Sequence, residues 1–175
     1  MRDLVRLAYV SRATFDVDLQ ASEIEPDIEA ILAAARTNNK NQKISGALYF
    51  GDGYFFQCLE GKAEKIDRLM KKIEQDSRHK GLKISYYKRV KRRMFNDWSM
   101  KYVPISDEVM ELISTLGYQK FDPVAFDESD VNAVIDLFYR SDDPSLKIKK
   151  LRSSYYLKDS WWKRLLSKNR AFSFI

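Results

Sequence analysis

The chain has 175 residues, 45% of them hydrophobic and 13% aromatic, with a formal net charge of +6. That is enough apolar material for one domain with a proper core. One histidine and one cysteine disfavour a His/Cys metal site, a disulfide framework and a Cys–His nucleophile pair, so no metal is expected and a reducing, cytoplasmic setting is. No apolar run reaches bilayer length, and the first ten residues are too charged for a signal peptide. The charge is uneven: Ser141 to Arg170 holds nine Lys/Arg against three Asp/Glu, so the excess of six resides there and the remainder is balanced.

In chain order, Leu4 to Ser11 reads as a first strand, followed by a polar loop to Ser22. Ser22 and Glu25 form a capping-box pattern, and Pro26 suits a first turn. A helix is predicted from about Ile24 to Asn38, with Ile24, Ile28, Ile31, Leu32 and Ala35 as its apolar stripe. It is expected to end in the Thr37–Asn41 run, which favours caps and turns. Ile44 to Phe50 and Tyr54 to Leu59 read as strands joined at Gly51-Asp52-Gly53, a tight turn that needs φ > 0. Gly61 is expected to break the second of them. A second amphipathic helix is predicted over Lys62–Asp76, with Ile66, Leu69, Met70 and Ile73 on one face. Leu82 to Val90 and Trp98 to Val103 read as the fourth and fifth strands. Helices are predicted over Ser106–Leu116 and from Asp127 or Ser129 to Tyr139, the latter with Val131, Val134, Ile135 and Phe138 inward.

The order β-α-β-β-α-β-β implies an α+β, ferredoxin-like sandwich with two helices on one face of the sheet. The expected division is 1–104 for that domain, 105–141 for C-terminal cap helices and 142–175 for a basic tail. In the tail, Trp161, Trp162, Leu165 and Leu166 interleave with Lys163, Arg164, Lys168 and Arg170. Such a segment suits an anionic membrane surface, a partner groove, or simple packing on its own domain.

The unusual residue is Gln57. Alternation puts it with Phe55 and Leu59 on one strand face, with Tyr54, Phe56 and Cys58 on the other. An amide there has several hydrogen-bonding positions to fill on an apolar surface. In this topology the first and third strands are central neighbours, so Tyr9 can stand beside Gln57, with Asn39 at the end of the first helix. Singly, these read as a core aromatic, a helix cap and an amide satisfied by a carbonyl or water. Together they suit a planar, polar-edged ligand.

The ordered set Leu7-Ala8-Tyr9-Val10-Ser11, Asn38-Asn39, Ile44-Ser45-Gly46-Ala47-Leu48, Gly53 to Gly61, Gln75-Asp76-Ser77-Arg78-His79 and Phe95-Asn96-Asp97-Trp98-Ser99-Met100 closely resembles the BLUF family of flavin-based blue-light sensors. The resemblance covers Leu4 to Val103. It implies FAD as cofactor, with FMN or riboflavin not distinguished by the matched residues. It implies Tyr9 as the photoactive tyrosine and Gln57 as the switching glutamine. Asn38 and Asn39 would lie at the flavin ring, and Ile31, Ala35, Leu48, Phe55 and Ile73 would sandwich it. Asp76, Arg78 and His79 would lie near the ribityl and phosphate groups, and Trp98 and Met100 would report the light state from the fifth strand. Light would make Tyr9 give up an electron and a proton by way of Gln57, leaving that amide rotated or tautomerised and the absorption shifted to the red. Residues 104–175 are too few and too motif-poor for a cyclase or phosphodiesterase, so no enzymatic output is expected. A light-dependent protein partner is expected instead, a transcriptional regulator among the candidates, with self-association through the C-terminal helices and without direct nucleic-acid contact. Two other classes compete. One is an RNA-recognition sheet using Tyr86, Tyr87, Lys88, Arg89 and Lys91 to Arg93. The other is a flavin enzyme, which lacks a dinucleotide glycine fingerprint.

Overall fold

The structure, a computed structural model, describes residues 3–15 and 26–141. The Ser22/Glu25 capping box, Ile24, the breaker Asp142-Asp143-Pro144 and the basic tail lie outside the described residues. The elements are β1 (Leu4–Ala13), α1 (Pro26–Gln42), β2 (Ser45–Gly51), β3 (Tyr54–Lys62), α2 (Ala63–Ile73), β4 (His79–Arg89), β5 (Lys101–Val103), α3 (Asp107–Thr115) and α4 (Glu128–Arg140). Among the described residues no helix is long and apolar enough to cross a membrane.

The five strands form one sheet in the order β4-β1-β3-β2-β5. β1 is antiparallel to both β3 and β4, β2 is antiparallel to β3, and β5 runs parallel to β2. This is the ferredoxin-like arrangement. Asp52 (φ 51°) and Gly53 (φ 77°) take the left-handed conformation in the β2–β3 turn, whose handedness matches the twist of the flanking strands.

Strand alternation sorts the core into two layers. Val5, Leu7, Tyr9, Leu48, Phe55, Leu59 and Met100 face Ile28, Ile31 and Leu32 of α1 and Ile66 and Met70 of α2. On the other side, Ala8, Val10, Ala47, Tyr49, Phe56 and Cys58 face Val109 and Ile113 of α3 and Val131, Val134, Ile135 and Phe138 of α4. Both sheet faces are therefore covered. This removes the open aromatic surface that an RNA-recognition sheet needs; Tyr86 is buried in the α3–α4 layer.

Several boundaries differ from the predicted ones for identifiable reasons. α1 runs through the Thr37–Asn41 run because the Asn39 side chain is drawn away from its own backbone: its Nδ2 donates to the Ser99 carbonyl at 3.0 Å. The helix ends instead at Lys43 (φ 57°), with the Ile44 amide donating to the Asn39 carbonyl at 2.8 Å, a Schellman-type closure. Gly61 does not break β3; it pairs with Val5. A Cβ there would meet Ile44 and Ile66 side-chain atoms at 3.2 Å, so this glycine serves helix–sheet packing. α2 stops at Ile73 and continues as tight turns, Gln75 N to Lys72 O and Asp76 N to Ile73 O. β5 begins only at Lys101, so Trp98 and Met100 precede the strand rather than lie on it; just before Lys101 the chain meets β2 through the backbone bond Gly46 N to Trp98 O. Ser106 caps α3 through the Val109 amide, and Asp127 with Asp130 forms a reciprocal capping box on α4.

Candidate functional site

Tyr9 and Gln57 are directly paired across the β1–β3 ladder. Both side chains project toward the α1–α2 side, and Tyr9 Oη donates to Gln57 Oε1 at 2.5 Å. The phenol is 1% exposed and the amide 4%. Burial, reinforced by the negative charge of Asp76, pushes the Tyr9 pKa up, so the phenol stays protonated. Gln57 Nε2 donates to Met100 Sδ at 3.3 Å. Sulfur is a weak acceptor, so this half of the amide is held less firmly than the oxygen half.

The segment 98–100 is fixed from α1. Arg36 Nε donates to the Met100 carbonyl at 2.9 Å, and Asn39 Nδ2 holds the Ser99 carbonyl. Asn39 is buried, Asn38 half-buried one position earlier. Ile31, Leu48 and Phe55 are buried in the same layer, with Ala35 and Ile73 partly buried against it. Trp98 stands apart from the Tyr9–Gln57 pair: the Lys101 ammonium lies 4.6 Å from its ring centroid.

A second cluster closes the β1–β4 end. His79, at the start of β4, lies with Nδ1 2.8 Å from Ser11 Oγ in a hydrogen bond, and its ring centroid is 4.6 Å from that of Phe55 and 6.2 Å from that of Tyr9. Burial lowers the His79 pKa to about 4, helped by Arg78 and opposed by Asp76, so the imidazole is neutral. Arg78 donates through Nε and Nη2 to the two oxygens of Asp76, at 2.9 and 2.5 Å. Burial pushes the Asp76 carboxyl up, but its hydrogen bonds from Arg78 prevail and the net shift is down.

Sequence reasoning missed several participants. Phe15, assigned to a polar loop, stacks on Phe50 and packs edge-on to Phe55. Ser11 and Arg36 are unremarkable until their partners are placed. Glu60 was visible in the motif without a role. It is fully buried, receives Arg6 at 2.8 Å and accepts from the Met94 and Phe95 amides at 2.9 to 3.0 Å. A carboxylate buried inside a strand must be paired, and that rule was the available signal. Cys58, the one cysteine, is fully buried and its thiol is pushed up by burial.

Residues 4–101 match the family model BLUF, sensors of blue-light using FAD. This chain belongs to the BLUF family. Among curated BLUF relatives, it is 33% identical over 114 residues to the photoactivated adenylate cyclase subunit beta of Euglena gracilis, covering 65% of this chain and 12% of that protein. It is 28% identical over 98 residues to the blue light- and temperature-regulated antirepressor BluF of Escherichia coli, covering 54% of this chain and 24% of the relative. The chain thus spans under a quarter of the length of either protein. Among solved structures, BlsA in its photo-activated state gives 30% identity and a TM-score of 0.72, covering 80% of this chain and 97% of BlsA; the ground state gives the same score. The BlrB dark state gives 28% and 0.59, covering 76% and 92%.

The side chains around Tyr9 and Gln57 have the chemistry that a flavin asks for. Primary amides such as those of Asn38, Asn39 and Gln57 combine donor and acceptor groups, the kind that suits a ring edge of carbonyls and nitrogens, although here Asn39 Nδ2 is on the Ser99 carbonyl and Gln57 bridges Tyr9 and Met100. Ile31, Ala35, Leu48, Phe55 and Ile73 suit the apolar ring faces. Arg78 has N–H groups beyond those used on Asp76 for a phosphate.

Proposed function

We propose that the chain is a blue-light photoreceptor in which Tyr9 and Gln57 form the switching pair, acting on a partner protein rather than by catalysis of its own. The observation that carries this reading is the 2.5 Å hydrogen bond from Tyr9 Oη to Gln57 Oε1. FAD would be held by Asn38, Asn39 and Gln57 at its ring edge, by Ile31, Ala35, Leu48, Phe55 and Ile73 at its faces, and by Asp76, Arg78 and His79 toward its ribityl phosphate arm. When bound and excited, the flavin supplies an electron acceptor.

The residues of the chain then do the following. Tyr9, kept as a neutral phenol by burial, would give up an electron and pass its proton along the hydrogen bond it donates to Gln57 Oε1, and both would return to it on recombination, so that no net oxidation remains. Gln57, released from the Tyr9 donor, turns or tautomerises, because its other half rests only on the Met100 sulfur. The settled amide presents a changed donor and acceptor pattern at the ring edge and a changed contact to Met100. Unequal contacts in the two states are what bias a distant element. Met100 leads into β5, and β5 lies against the α3–α4 layer, so residues 105–141 act as the cap that receives the signal from 1–104.

The partner is proposed to be a transcriptional regulator in the cytoplasm. The support is the Escherichia coli relative, named an antirepressor; the Euglena relatives are named as cyclase subunits. The test is blue-light difference spectroscopy on the purified, flavin-loaded protein. The reading expects a small red shift that reverses in the dark. A yellow protein without the shift, or one bleached by a reduced nicotinamide, refutes it.

A further inference from the structure

Lys101 is a lysine with no exposed surface. It pairs with Ala47 at the start of β5, on the sheet face covered by α3 and α4, while Met100 before it turns to the opposite face and meets Gln57. Its Nζ donates to the Tyr139 carbonyl at 3.0 Å. Tyr139 is the penultimate residue of α4, where helix carbonyls lack an intrahelical partner and carry the negative end of the macrodipole. The same ammonium lies 4.6 Å from the Trp98 ring centroid, within cation–π range. The Phe95 and Tyr139 rings meet edge-on at 6.1 Å beside it.

A buried ammonium is tolerated only while its acceptors stay in place. Two of its contacts are dipolar: a helix-end carbonyl and an indole face. One belongs to α4, and the other belongs to the short segment that also carries Met100. Lys101 therefore joins the last turn of α4 to the stretch gripped by Gln57, Arg36 and Asn39 on the other side of the sheet.

We infer that Lys101 is the positioning residue that couples the Gln57–Met100 contact to the C-terminal turn of α4. A rearrangement that moves Trp98 or the 98–101 backbone changes the support under a charge that cannot reach water, and the end of α4 answers by loosening or tightening. This rests on the photoreceptor reading given above, but it names a joint that reading does not need.

The test is hydrogen–deuterium exchange of the 136–141 amides on the full, flavin-loaded chain, in the dark and under blue light, with the absorption shift recorded on the same samples. Wild-type protein is expected to show a light-minus-dark difference of at least fivefold in exchange rate at these amides. Lys101→Met, close in length and apolar, should keep the red shift and reduce that difference to under twofold. Lys101→Gln, neutral but still a donor, is the second variant and should do the same. A merely structural lysine would instead raise exchange equally in dark and light and leave the difference intact; that result overturns the inference. So does a wild-type protein that shows the red shift without any difference at 136–141, whichever variant folds. Absence of the red shift in wild type refutes the photoreceptor reading itself.

Discussion

The phenol of Tyr9 and the amide of Gln57 stand opposite one another on neighbouring central strands, and the hydroxyl hydrogen points at the amide oxygen from 2.5 Å. Because the β-ladder sets this pairing, the contact is a property of sheet register. A one-residue slip of β1 against β3 would put the two side chains on opposite faces and break the contact.

Removing either member should abolish the photocycle and spare flavin binding. Tyr9→Phe and Gln57→Leu are expected to purify yellow and to show no light-induced red shift in ultraviolet–visible difference spectra. Tyr9→Phe also leaves a buried amide oxygen without its donor, at a cost of about 1–3 kcal/mol read by urea unfolding. A normal shift in Gln57→Leu would take that residue out of the switching pair.

Acid should weaken the fold through His79. Its folded-state pKa lies at about 4, below the ordinary value of 6.5. Above pH 6.5 neither state binds the proton and nothing is lost. Between 6.5 and 4 the unfolded chain takes up a proton that the folded chain refuses, so stability falls as pH falls. On the order of 2 kcal/mol is expected to go by pH 4.5. His79→Gln should flatten that part of the pH dependence of urea midpoints, measured against wild type at pH 7 and 4.5. Parallel profiles for the two proteins would contradict the assignment.

Glu60 is the stability prediction. Glu60→Ala leaves the Arg6 guanidinium and the Met94 and Phe95 amides without their common acceptor. Breaking a buried ion pair from one side costs about 3–5 kcal/mol, so the denaturant midpoint should drop sharply. Glu60→Gln, which keeps an acceptor oxygen, should lose less.

Gly46→Ala should also be severe. An added Cβ would stand 2.0 Å from the Cys58 carbonyl oxygen and 3.2 Å from Leu59 Cα, all backbone of the neighbouring strand. Overpacking of this kind costs about 1–3 kcal/mol, occasionally more. Since the Gly46 amide also holds the Trp98 carbonyl, the variant should change the dark-recovery rate of whatever protein folds. Unaltered thermal stability would show that β2 shifts freely.

The sheet and the alternation of its strands were legible because periodicity is local: Phe55, Gln57 and Leu59 do face one way, and Tyr54, Phe56 and Cys58 the other, whereas the covering of the second face by α3 and α4 was not. The Tyr9–Gln57 pairing was legible because the element order fixes which strands are neighbours. What escaped was set by long-range partners. Asn39 looked like a helix terminator and became helical once Ser99 claimed its side chain. Met100 looked like a strand residue, yet β5 begins one position later. Lys101 drew no reading from its sequence context, and only the placement of α4 reveals an acceptor for its ammonium. Phe15 sat among polar neighbours, where no spacing rule marks it.

Strand β3 grips the connection ahead of β5 twice. Gln57 takes it at Met100, and three residues further on Glu60 clasps it at Met94 and Phe95 through the reverse side of the sheet. The arc between is thus moored at its root by an ion-paired carboxylate and at its tip by the Met100 sulfur contact together with the Arg36, Asn39 and Gly46 hydrogen bonds to the backbone carbonyls of residues 98–100. With both backbone ends tethered, the sulfur contact is the softest of these ties, and the Met100 side chain is the part with the least holding it in place.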